Sequence, residues 1–151
     1  DCEKDMIQNA QKKCAKLKSV EFLETDLMDY EFEKSDLIIS YYTMQFIPAR
    51  NRQILLDRIY EALNWGGGLL LFEKVRGPDA RFQDMMTTIY TDFKLDQGYT
   101  SEEIVSKTRS LKGVLEPFST AGNIDLLKRA GFQDIMSIMK YVCFEGFLAI
   151  K

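Results

Sequence analysis

Apolar positions recur along this chain in two rhythms, and the alternation between them lays out the expected elements. Ile7, Ala10, Cys14 and Leu17 return every three or four residues, which predicts a helix over residues 4–17. In SVEFLETD, Val20, Phe22 and Leu23 stand among acids, the pattern of a short strand. SDLIISYYTMQF reads as a second strand, and its Leu37-Ile38-Ile39 run is that of a buried parallel strand. Pro48 then opens a helix with Ile54, Leu55, Ile59, Ala62 and Leu63 along one face, and GGGLLLFEK follows as a third strand. Residues 79–113 are mostly helical in pattern, with a break at DQGYTSEE. There Gly98 stops one helix, and Thr100 or Ser101, with Glu103 beyond, caps the next. STAGNIDLLKRAGF is a capped helix closed by Gly131. The last two strands, QDIMSIMKYV and CFEGFLAIK, are close enough to pair antiparallel.

Strands alternating with helices and ending in an antiparallel pair predict an α/β sheet, parallel except at one edge. This order also settles the role of Gly66, Gly67 and Gly68. A phosphate cradle needs strand, glycine loop, then helix N-terminus, so that amide groups point at the anion. Here the glycines follow a helix whose last turn lacks Lys and Arg, and they precede a strand, so their role is architectural. No repeat, low-complexity tract or linker interrupts the 151 residues.

Composition narrows the chemistry. A net charge of −3 argues against holding nucleic acid by bulk charge. The absence of histidine removes the commonest general base and metal ligand, so no Ser–His–Asp, Cys–His or metal constellation can be assembled. Cys2, Cys14 and Cys143 have no metal-like spacing, and their odd number points to a reducing, cytoplasmic setting with Cys14 and Cys143 buried. No apolar run is long enough for a membrane span.

The stretches DLIISYYTMQFI, ALNWGGGLLLFEK and LLKRAGF with FEGFLAIK resemble the second half of a class I S-adenosylmethionine-dependent methyltransferase, with Trp65 where that superfamily usually has proline. TMQFIPARNRQILLDRIYEALNWGGGLLLFEK and DFKLDQGYTSEEIVSKTRSLKGVLEP are more similar still to one branch, the carboxy-S-adenosylmethionine synthases. The resemblance covers essentially the whole chain. It implies a Rossmann-like sheet with a helical insert at about 79–118, incomplete at its N-terminus. Residues 1–151 would be the C-terminal two-thirds of one methyltransferase-like domain, lacking the glycine-rich cofactor loop and a central strand. On that basis residues are expected before Asp1, and the strand around Leu37 and Tyr41 should show a bare apolar edge.

The same resemblance implies site residues. Asp1 corresponds to the acid that holds the ribose hydroxyls, a role that suits a carboxylate accepting two bonds from a diol. Asp26 would meet the adenine amino group and Leu27 would pack beside the ring, although Asp26 in a loop could equally cap a turn. Tyr41 stands where the synthases have asparagine; it can donate a hydrogen bond near the methionine part or be an ordinary strand-end residue. Arg109 matches the arginine that crosses a dimer interface to clamp the cofactor's carboxylate, while its pattern with Lys107 and Lys112 is also that of a solvated face. Tyr90, Phe93 and Tyr99 read as core or interface aromatics. Glu73 and Lys74 sit where substrate-facing residues often occur, yet as a lone pair they are no grounds for a catalytic role.

The function so implied is carboxy-S-adenosylmethionine synthesis from S-adenosylmethionine and prephenate, for modification of wobble uridine in transfer RNA by a separate enzyme. The sulfonium acidifies its own methyl group, so no histidine is required. The alternatives are a small-molecule methyltransferase, which Tyr41 favours, and a non-catalytic dimerisation domain. The cofactor is S-adenosyl-L-methionine or its carboxylated form. The partners are a small-molecule substrate and a second copy joined through Ile104, Val105 and Leu111, with neither nucleic acid nor membrane bound directly.

Overall fold

The computed structural model describes residues 1–151 as two units, 1–33 and 34–151. In the first, α1 (Lys4–Lys13) is followed by turns and by irregular backbone up to Asp26. The helix is shorter than its apolar repeat suggests. None of its residues is buried, and Cys14 closes it by donating its N–H to the Ala10 carbonyl. The expected strand in SVEFLETD forms no strand ladder. It bonds to Asp1: the Asp1 nitrogen donates to Leu23 O at 3.2 Å, and the Asp1 carbonyl accepts from Thr25 N at 3.0 Å. That spacing is the pattern of one parallel bridge.

The second unit is built on a four-stranded sheet of order β1-β2-β4-β3, made of β1 (Ser35–Tyr41), β2 (Leu63–Lys74), β3 (Asp134–Tyr141) and β4 (Phe144–Ile150). β1 and β2 are parallel, joined through α2 (Ala49–Ala62) as a parallel pair requires. β4 runs antiparallel to both β2 and β3, so the last strand lies inside the sheet and β3 forms the edge. α3 (Ala80–Asp96) and α4 (Ser101–Ser110) make the expected helical insert, and α5 (Thr120–Ala130) leads into β3. Thr100 and Glu103 form a reciprocal capping box on α4, and Gly131, at φ 117, closes α5.

The core lies where α2 and α5 pack together beside the sheet. Leu55, Leu56 and Ile59 of α2, Leu126 and Leu127 of α5, and Leu69, Leu71 and Phe147 of the sheet are buried, each contributing roughly 1.5–3 kcal/mol. The Leu37-Ile38-Ile39 run behaves differently. β1 is an edge strand, and Leu37 and Ile39 are 53% and 57% exposed, the bare apolar edge that the sequence implied.

The three glycines lie inside β2 rather than ahead of it, because the strand begins directly after α2 at Leu63. Gly66 takes φ +77, and a Cβ on Gly67 would stand 2.9 Å from Asn64 O and 3.0 Å from Asp36 O. Both are demands of the backbone, with no cradle for an anion.

Candidate functional site

In an open α/β sheet, ligands bind beyond the carboxyl ends of the parallel strands. At the end of β1, Tyr41 is 66% exposed, with its ring 4.6 Å from that of Tyr42 and 5.4 Å from Phe72. Tyr42 turns the chain sharply at φ 54, a left-handed conformation uncommon for a non-glycine residue, and donates its N–H to Phe72 O. A short helical turn over Met44–Phe46 follows.

Beneath that turn lies a buried polar knot. The Arg52 guanidinium, 2% exposed, donates to the carbonyls of Ile47 (2.8 Å) and Gln45 (3.2 Å) and stacks 4.5 Å over the Phe118 ring. The Gln45 side chain accepts from Lys74 N at 2.9 Å, and its carbonyl also accepts from Glu116 N. Glu73, equally buried, accepts from the backbone of Met44 and Gln45, while its Oε1 has no hydrogen-bond partner. Burial pushes its carboxyl up to about 8, against the pull of Arg52 and those two amides. Glu73 therefore holds its proton over much of the neutral range. Position alone pointed to Glu73, whereas burial supplied the chemistry, and Arg52 carried no sequence signal beyond an ordinary helix position.

In the first unit, the parallel bridge puts Asp1 and Asp26 at neighbouring chain ends. Asp1 Oδ1 accepts from Glu3 N at 3.0 Å, and Asp26 Oδ1 accepts from Met28 N at 2.8 Å, with Leu27 in the turn between. Asp26 thus makes the turn that its bland reading described. In each carboxylate the second oxygen remains for a hydroxyl or amino donor. Arg109 lies on the exposed face of α4, beside a surface hollow lined also by Ser101, Glu102, Val105 and Ser106. None of those four residues comes from a strand end. Of the expected interface residues, Ile104 is already buried within the chain, Leu111 is half-buried and Val105 is exposed.

A family model described as a methyltransferase domain matches residues 1–67, which span the first unit, β1, α2 and the start of β2. The fold is similar to that of human N-acetylserotonin methyltransferase, solved in complex with SAM, at a TM-score of 0.59 and 20% identity over 98% of this chain and 38% of that one. In sequence the chain is 41% identical over 132 residues to the carboxy-S-adenosyl-L-methionine synthase of Campylobacter lari, covering 87% of this chain and 56% of that protein. It is 37% identical to the synthase of Staphylococcus epidermidis, over 88% of this chain and 58% of the relative. The chain therefore spans a little over half the length of the curated relatives it matches. No helix of the chain is long and apolar enough to cross a membrane.

Proposed function

We propose that this chain serves an S-adenosylmethionine-dependent transferase, and that its reaction forms carboxy-S-adenosylmethionine from S-adenosylmethionine and prephenate. The observation that carries this reading is the 41% identity over 87% of the chain to a synthase of that product. The residues present suit the cofactor. Asp1 and Asp26 each keep a carboxylate oxygen beyond one backbone bond, and the resemblance gives these the ribose diol and the adenine amino group, with Leu27 beside the ring. In the second unit Tyr41 is exposed at the end of β1, and the resemblance gives it the methionine part.

When bound, the sulfonium cofactor supplies an activated methyl carbon. The protein's part is orientation and charge. Arg109 forms no ion pair within the chain, so its guanidinium can clamp a carboxylate through two parallel bonds. In this reading it reaches that carboxylate across a homodimer interface. Exposed Phe82, Met85 and Ile89 along α3, with Val105 beside Arg109 on α4, support such an interface. The product would supply wobble-uridine modification in transfer RNA through another enzyme. Three free cysteines fit a reducing, cytoplasmic setting.

The test is mass spectrometry of the small molecule released from the purified protein, together with its Arg109→Ala variant. The carboxylated cofactor should be released from the wild type. The variant should retain it at least about tenfold less, as loss of a charge-assisted clamp predicts, with S-adenosylmethionine affinity little changed. Release of S-adenosylmethionine or its demethylated product alone would favour methyl transfer, the reading to which Tyr41 in place of asparagine points.

A further inference from the structure

The carboxyl end of β2 holds a second group of side chains that the roles above leave unused. Lys74 is the last residue of β2, and α3 brings Tyr90 and Lys94 to it. Tyr90 and Lys94 are four residues apart and so share one helical face. The Tyr90 ring packs edge-on against Phe144 at 5.2 Å, which anchors that face of α3 to the start of β4. Both ammonium groups then sit over the same ring, Lys94 Nζ at 4.6 Å from its centroid and Lys74 Nζ at 4.9 Å.

Neither lysine has an ion pair, and both are half-buried. Their charges oppose each other, and Lys94 is driven below its usual range by burial and then by Lys74. The adjacent acid does not relieve this. Side chains alternate along a strand, so Glu73 turns from Lys74 into the Arg52–Gln45 knot, and it is largely protonated near neutral pH. Cys143 is buried with its thiol pushed up, so it remains neutral. The Tyr90 ring under the cations continues into an aromatic chain, with Phe144 at 5.2 Å from Tyr90 and Tyr42 at 5.6 Å from Phe144.

We infer that Lys74 and Lys94 form a subsite for the carboxylate of a small ring-bearing organic acid, with Tyr42, Tyr90 and Phe144 as the wall for its ring. Two cations gathered at one aromatic ring without a counter-ion, at the ligand end of the sheet, match an anion carried on a hydrophobic body. Under the proposed reaction this acid is the carboxyl donor, and in that respect the inference rests on the synthase reading. The binding chemistry stands apart from it.

The test is calorimetric titration of the purified protein with phenylpyruvate and 3-phenylpropanoate, and with the uncharged 3-phenylpropanamide as the control. The acids should bind about tenfold or more tighter than the amide, as one charge-assisted bond predicts. Lys94→Gln should remove most of that difference, Lys74→Gln should do the same, and Lys74→Arg should restore most of it. S-adenosylmethionine affinity should stay within about twofold throughout, because a direct carboxylate contact leaves the other ligand alone. Lys94 lies on a helix surface, so its variant keeps the proposal testable if the Lys74 variant does not fold. Equal binding of acid and amide would overturn the proposal. So would an acid-over-amide preference unchanged in Lys94→Gln, or equal competition by inorganic phosphate. Acid binding that depends on the lysines, without any carboxylated cofactor, would retain this subsite and reject the synthase reading. Carboxylated cofactor without lysine-dependent acid binding would do the reverse.

Discussion

At the scale of single residues, Glu73 has the largest consequence for stability. Burial raises its carboxyl to about 8, above the value of about 4.3 for an unfolded glutamate. The folded state therefore holds the proton more tightly. Its contribution is complete below the unfolded value and is lost as pH rises toward 8, a change on the order of 3 kcal/mol between about pH 5 and about pH 8. Glu73→Gln keeps an acceptor for Met44 and Gln45 and removes the titration. The wild-type melting temperature should fall over that range relative to the variant, with the two converging near pH 5. Parallel melting curves would mean that Glu73 folds with its charge. Directly across the ladder stands Glu145, also buried but partnered by Lys140 at 2.6 Å, Ser137 and Thr120. Two buried acids thus sit side by side, and only one has a cation in hydrogen-bond contact.

At the scale of elements, the end of α2 shows what a local reading misses. Its last turn contains neither Lys nor Arg, yet its carbonyls are not left unpaired. Lys151 Nζ donates to Tyr60 O (2.7 Å), Leu63 O (2.8 Å) and Glu61 O (3.2 Å), and Lys34 Nζ donates to Glu61 O at 2.7 Å. A cation at a helix C-terminus also suits the helix dipole. Lys151→Met should lower unfolding free energy by about 1–2 kcal/mol in urea titrations, with an unchanged m-value. No change would show that water and Lys34 satisfy those carbonyls alone. α4 is the contrasting case: its capping box lies within four residues and was legible as TSEE.

At the scale of the whole molecule, α3 is the element whose packing is unfinished. Gln83, Met86, Tyr90 and Lys94 follow one half-buried face, whereas Phe82, Met85 and Ile89 are exposed on another. The interface expected from α4 alone is therefore centred differently, since Ile104 is consumed by the chain's own packing and α3 supplies the larger apolar stripe. If that stripe joins two copies, Ile89→Lys should shift sedimentation equilibrium from dimer to monomer while leaving circular dichroism unchanged. A wild-type chain that stays monomeric at all concentrations would sink the dimer.

The sequence by itself determined the order and type of most elements, because their signals act over a few positions. Thr100 with Glu103, Gly131 after α5, Pro48 before α2 and the closely spaced final strands all work within one turn of helix or one hairpin. It also placed the glycines of β2 as architecture and led to the carboxyl ends of the strands as the place for ligands. The strand expected in SVEFLETD was not decidable locally, since a ladder depends on what lies beside it. Tertiary structure alone decided that Glu73 is withdrawn from water, that Arg52 knots the turn after β1, and that Lys74 and Lys94 share the Tyr90 ring. It alone brought Lys151 to the end of α2, 91 positions from Tyr60. Burial and charge proximity depend on groups far apart in the chain, and these carry the chemistry.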